Sequence, residues 1–205
     1  MSGFTLKARA AAPLRLDLRG ITPAALAALS AAEVERLEIG HGNALVPLAE
    51  FFAVEARSDD TMVLAGDLSR CDRIGWQMDG GTLIVGGNAG ARFGDRMRRG
   101  TALIFGDAGD FLASRMVAGT IALAGRAGAH AGYGMRRGSV VFAGQAPGAS
   151  PTFVPAVAGA PVFWQLLARD LAQHGGPFAT LASRGIDRQL GDVAAGGKGE
   201  LILVR

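Results

Sequence analysis

Glycines recur at a fixed interval of 19 residues through the middle of the chain, at Gly81, Gly100, Gly119 and Gly138, and this interval restricts the fold more than any other feature. Read from each leading glycine, the segments are GTLIVGGNAGARFGDRMRR, GTALIFGDAGDFLASRMVA and GTIALAGRAGAHAGYGMRR, followed by a shorter GSVVFAGQAPG. A hydroxyl residue follows each glycine (Thr82, Thr101, Thr120, Ser139), and other columns keep step: Gly87, Gly106, Gly125 and Gly144; Gly90, Gly109 and Gly128; Met97, Met116 and Met135. Upstream, DTMVLAGDLSRCDRIGWQMDG reads as a divergent copy of 21 residues. The period is too short for TPR or ankyrin units, which need about 33 or 34 residues and good helix formers. Alternating β-branched residues between glycines that can take positive φ point instead to a strand in every repeat. The predicted fold is mainly β, a right-handed parallel β-helix: a single-stranded solenoid of about five coils of 19–21 residues, stacked about 4.8 Å apart, with short helical terminal caps.

Within each strand the third and fifth positions should face the bore: Leu83 and Val85, Ala102 and Ile104, Ile121 and Leu123, Val140 and Phe142. The methionine column supplies a second lining, since an unbranched thioether adapts to an irregular interior. The intervening outward positions are also apolar in places, at Ile84, Leu103, Phe105 and Val141. Large exposed apolar patches are unusual on free monomers, so either the chain's own ends or another subunit should cover this face.

The flanks differ in kind. LRLDLRG from Leu14 reads as a strand; Thr22 can cap a helix begun by Pro23, and Ser30 with Glu33 form a capping box for a second. PVFWQLLARDLAQHGG from Pro161 places Phe163, Leu167 and Leu171 at helical spacing, and LILVR reads as a last strand. One domain is expected over residues 1–205, with an N-terminal strand and helix cap (1–59), the glycine-repeat β-helix (60–148), and a C-terminal helix and strand (149–205).

Composition removes several functional classes. No apolar run approaches the roughly 18 residues of a membrane span, and the first residues lack a continuous apolar segment with a cleavage site, so a cytoplasmic location is expected. A net charge of +3 is small for a nucleic-acid binder. Cys71 stands alone, which leaves no internal disulfide and no paired-cysteine zinc site, and suits packing. His41, His130 and His174 lie in separate segments without metal-ligand spacing and are read as exposed or locally hydrogen-bonded. No dinucleotide fingerprint or Walker A loop is present, Ser114 and Ser139 lack a nucleophile elbow, and Asp95 and Asp107 do not make the repeated acidic pair of a polysaccharide-cleaving β-helix. No catalytic residue and no metal site is assigned.

Arginines do recur on successive repeats: Arg96 and Arg115 share a column, and the pair Arg98 and Arg99 is repeated as Arg136 and Arg137. Stacking brings them into a basic edge, which is either a solvated face or a contact surface for an acidic partner or a polyanionic cofactor tail.

The glycine-led coils with their GNAG and MRRG elements, preceded by LEIGHGNALVPLAEFFAVE from Leu37, resemble the C subunits of the formylmethanofuran dehydrogenase family. The resemblance covers most of the chain and is nearest to the shorter bacterial form in the formyltransferase/hydrolase complex of methylotrophs; the β-helix is also similar to the C-terminal domain of the glutamate synthase large subunit. It implies a noncatalytic scaffold subunit in one-carbon (formaldehyde) oxidation. The complex would move a formyl group from formyl-tetrahydromethanopterin to a methanofuran-type carrier and release formate. The implied partners are amidohydrolase-like, formyltransferase and further subunits, with no nucleic acid and no membrane. No cofactor is expected on this chain; the carriers and a metal, expected to be zinc, would be served by other subunits. Two alternatives stay open: the C subunit of a tungsten or molybdenum formylmethanofuran dehydrogenase, and a glutamate-synthase-like β-helix subunit in nitrogen metabolism.

Overall fold

The computed structural model describes residues 3–9, 12–145, 147–148, 150–156 and 160–205, so Ala146 of the fourth glycine segment lies outside the described residues. The fold is mainly β, with one large mixed sheet and one small one. In chain order the elements are β1 (Phe4–Ala8), β2 (Leu16–Asp17), α1 (Pro23–Leu26), α2 (Ala31–Glu35), β3 (Glu38–His41), β4 (Ala44–Pro47), β5 (Phe52–Ala56), β6 (Thr61–Ala65), β7 (Cys71–Asp72), β8 (Asp79–Val85), β9 (Arg99–Ile104), β10 (Thr120–Leu123), β11 (Ser139–Phe142), β12 (Val154–Pro155), α3 (Pro161–Ala172), β13 (Ile186–Gly191) and β14 (Gly199–Val204). The ten-stranded sheet runs β12-β13-β14-β11-β10-β9-β8-β6-β1-β5, and the four-stranded sheet runs β4-β3-β2-β7. No helix among the described residues is long and apolar enough to cross a membrane.

The repeat sets the register of the large sheet. Thr82 pairs with Thr101, Thr101 with Thr120 and Thr120 with Ser139, all in parallel, and the divergent copy joins through Thr61 and Thr82. A second seam of parallel bridges runs through Leu68, Ala89, Ala108 and Ala127. Between these seams, side-chain amides and carboxylates close the gaps: Asn88 Oδ1 accepts from the Asp107 N–H (2.9 Å) and Asp107 Oδ1 from the Arg126 N–H (2.7 Å). On another corner, Asp72 Oδ1 accepts from the Ala91 N–H (2.8 Å) and Asp110 Oδ1 from the Ala129 N–H (2.7 Å).

All eight inward strand residues are fully buried, as are Met97, Met116 and Met135. Met78 in the divergent copy extends that column. The glycine columns divide by cause. Leading glycines such as Gly100 (φ +90°) occupy the left-handed region, where a side chain is strained. Gly125 has ordinary φ, but a Cβ there would stand 2.5 Å from the Gly106 carbonyl oxygen and collide with Asp107 Oδ1, so close approach of neighbouring repeats excludes anything larger.

The ends extend the sheet rather than merely cover it. β1 pairs parallel with β6 and antiparallel with β5, while β14 adds a parallel strand to β11 and is followed outward by antiparallel β13. Thr22 accepts from the Ala25 N–H, and the Ser30/Glu33 capping box is complete. The strand expected from Leu14 is reduced to the two residues of β2.

The apolar outer face is resolved in favour of the chain's own C-terminal segment over the rows nearest that end. Leu103, Ala122, Val141 and Ile202 pack against Trp164, Ala168, Leu171, Phe178 and Leu181 in a second core, with Ile84 and Phe105 partly buried beside it. The buried stripe of α3 is therefore Trp164, Ala168 and Leu171, rotated from the expected Phe163, Leu167 and Leu171; Phe163 is 41% exposed and Leu167 only partly buried. Trp164 wins the inward place because its indole N–H also reaches the Arg184 carbonyl (3.1 Å), satisfying the one polar atom it buries.

Candidate functional site

Each repeat turns through left-handed positions that are not all glycine. Arg73, Arg92, Phe111 and His130 form one such column; Gln77, Arg96 and Arg115 form another that ends at Gly134. Apart from His130 and Gly134 at the column ends, these residues tolerate positive φ because their backbone N–H groups are tied to the next repeat. Gln77 N–H donates to the Asp95 carbonyl, Arg96 N–H to the Ser114 carbonyl (2.8 Å) and Arg115 N–H to the Tyr133 carbonyl (2.7 Å). At the end of this ladder the Gly134 N–H meets no further repeat; Asp192, reached from 58 residues away, offers Oδ2 instead (2.9 Å). A parallel row has Arg98, Val117 and Arg136 donating to the carbonyls of Met78, Met97 and Met116, each at 2.8 Å.

These two rows border an open cleft of about 570 Å3. Four of the six arginines expected on the basic edge line it, Arg96, Arg98, Arg115 and Arg136, together with Val117 and Tyr133. Arg99 and Arg137 do not: Arg99 lies 3.5 Å from Asp79 on the strand side, and Arg137 is exposed outside the cleft. Asp95, almost fully buried, accepts from Ser114 Oγ (2.8 Å) and stands 3.5 Å from Arg115 Nε. Asp192 is also buried, with Oδ1 accepting from the Ala194 N–H (3.0 Å). Both acids are thus engaged within the wall, Asp95 through Oδ1 and Asp192 through both carboxylate oxygens. Arg96, Arg98 and Arg136 have no carboxylate partner among the described residues.

The remaining titratable residues are dispersed. His130 stacks on Phe111 (4.9 Å), whose ring also meets the Arg92 guanidinium (4.7 Å) and, edge-on, Tyr133 (6.0 Å). His41 packs against Phe51, and its buried Nε2 has no hydrogen-bond partner among the described residues, where exposure or a local hydrogen bond was expected. Cys71 is buried, and burial pushes its thiol up to about 12, which keeps it a neutral packing group near neutral pH. Ser114 is inside the turn wall, Ser139 pairs with Glu200 Oε1 (2.6 Å), and Asp107 sits on a different corner from Asp95. Among the described residues no three His, Cys, Asp or Glu side chains cluster as a metal site.

Sequence reasoning passed over Gln77, Tyr133 and the Asp192–Ala195 turn. Gln77 was accessible through the 19-residue spacing it shares with Arg96 and Arg115. The C-terminal turn carries no repeat and gave no comparable signal.

Parallel repeats locked by backbone ladders, with arginines along one cleft, define a mainly β repeat protein. No family model matches the chain. It is 38% identical over 88 residues to the C subunit of the formyltransferase/hydrolase complex Fhc of Methylorubrum extorquens, a match covering 43% of this chain and 33% of that protein. It is 33% identical over 93 residues to the C subunit of the tungsten-containing formylmethanofuran dehydrogenase 2 of Methanothermobacter wolfeii, covering 43% and 34%. The matched stretch thus spans about a third of these curated relatives. Among solved structures, a chain of the formyltransferase/hydrolase complex FhcABCD from Methylorubrum extorquens, crystallised with methylofuran, superposes with a TM-score of 0.51 at 33% identity, covering 97% of this chain and 98% of that one. The chain belongs to the family of C subunits shared by the formyltransferase/hydrolase complex and the formylmethanofuran dehydrogenases.

Proposed function

We propose that the chain is a noncatalytic structural subunit of a formyltransferase/hydrolase complex, which would transfer a formyl group from formyl-tetrahydromethanopterin to a methanofuran-type carrier and release formate. The observation that carries this reading is the likeness to a chain of FhcABCD along nearly the whole length, 97%, of the protein. The higher identity to the relative from the hydrolase complex, 38% against 33%, favours it over the tungsten-dehydrogenase alternative. In this reading the repeats wind as a right-handed parallel β-helix, the hand taken by about 98% of parallel crossovers. Stacked repeats tied through backbone hydrogen bonds suit a rigid support for amidohydrolase-like and formyltransferase subunits, which would handle the carriers and the metal. The basic edge then belongs to the contact surface of the complex.

Affinity purification of the tagged full chain from its own cells, followed by mass spectrometry, tests the assignment. Formyltransferase-like and amidohydrolase-like proteins should elute with it in fixed stoichiometry. Elution alone, or with a molybdopterin or glutamate-synthase enzyme, overturns it.

A further inference from the structure

We infer that the arginine-lined cleft is a docking groove for an extended acidic segment of a partner polypeptide in which carboxylates alternate with apolar side chains. The inference rests on the subunit role proposed above and specifies what one partner presents.

The first support is charge. Arg96, Arg98 and Arg136 face the cleft without a carboxylate partner among the described residues, and the two nearby acids, Asp95 and Asp192, are buried and engaged within the wall. The second is the mixture of surfaces. Val117 and Tyr133 stand 39% and 56% exposed in the same cleft, between and beside the arginines. Arginine and tyrosine around a small apolar floor is the composition of protein-binding hot spots.

The third support excludes a cradle for a small anion. Sites for phosphate usually present free backbone N–H groups. Here the N–H groups of Arg96, Arg98, Arg115 and Arg136 are already given to neighbouring carbonyls, and that of Gly134 to Asp192. What remains is long, cationic and spaced by the stack: Arg96 and Arg115 one repeat apart, Arg98 and Arg136 two repeats apart across Val117. Strand spacing of about 4.8 Å makes these intervals roughly 5 and 10 Å at the backbone, and an extended peptide presents same-side residues about every 6.8 Å, within the sweep of an arginine side chain. Because the backbone beneath is tied from repeat to repeat and closed by Asp192 at Gly134, little ordering of the groove would be needed on binding.

Fluorescence anisotropy of the intact protein with a labelled octapeptide of alternating glutamate and leucine tests this directly. Saturable binding is expected, weakened about tenfold or more in R98Q/R136Q and about threefold or more in Tyr133→Ala, with octaglutamate binding less tightly than the alternating peptide. Thermal unfolding of each variant, expected to match the parent, separates lost contact from lost fold. Equal binding by R98Q/R136Q overturns the inference. So does octaglutamate binding as tightly with Tyr133→Ala silent, or millimolar inorganic phosphate displacing the peptide at constant ionic strength. The peptide measurement uses this chain alone and the purification tests complex membership, so failure of one is distinguishable from failure of the other.

Discussion

The stacked repeats and the C-terminal segment that covers them bury apolar side chains equally well but locate them by different means. In the stack, Met116 and Leu123 are inward because backbone bonds to the neighbouring repeats run on either side of them, with local turn bonds such as Met116 N–H to the Ala113 carbonyl between. In the cover, Trp164, Ala168 and Leu171 are inward because Leu103, Ala122 and Val141 leave an apolar surface to be met, and only a few directed bonds fix the approach: Trp164 to Arg184, Gln165 to Ala182 (2.9 Å) and Arg184 to Ala143 (3.0 Å). Periodic backbone pairing specifies position residue by residue; hydrophobic covering specifies a face and leaves the rotation of the helix to local fit.

The difference is sharpest at glycine. Gly125→Ala should destabilise the protein by about 3 kcal/mol, the upper part of the range for overpacking, because its Cβ meets the immobile Gly106 carbonyl. Gly185→Ala, in the cover with open space around it and no positive φ, should be neutral or stabilising by less than about 1 kcal/mol. Chemical denaturation of the two variants measures both; equal losses would break the distinction between regions.

Trp164→Ala should cost about 3 kcal/mol and expose the outer face of the strands. If the cover is held chiefly by side-chain burial, amide exchange will rise through α3 while the amides of β9 and β10 keep most of their protection, and an apolar dye will bind. Uniform loss of protection would show that the two regions unfold as one.

A smaller effect is expected at their junction. Asp192→Ala removes the acceptor of the Gly134 and Ala194 N–H groups and should cost about 1–2 kcal/mol. Faster exchange should be confined to the last repeat, and a change reaching Arg96 would mean that the ladder is less local than its bonds indicate.

Much of the stack was legible because one period serves every column: the inward strand residues, the methionines and the arginine rows follow from counting. The left-handed positions at Arg92 and Phe111 were hidden because glycine is the usual marker of positive φ, and inter-repeat hydrogen bonds hold ordinary residues there instead. The α3 stripe was misread because Val162, Phe163, Leu166 and Leu167 make the helix apolar on several sides, so spacing alone could not name the buried one. Asp192 escaped notice because its role depends on where the last repeat stops, which is a matter of tertiary contact and not of local pattern.

The unbroken register from Thr82 through Thr101 and Thr120 to Ser139 also makes the length of the stack a count of its repeats. Inserting or removing one whole period would leave every column facing as before and shift the two ends relative to each other by one strand spacing, about 4.8 Å. A change of another length has to be absorbed inside one repeat, as in the 21-residue copy, which keeps Thr61 opposite Thr82. The separation of the two ends of the stack is therefore set by a single integer, the number of repeats.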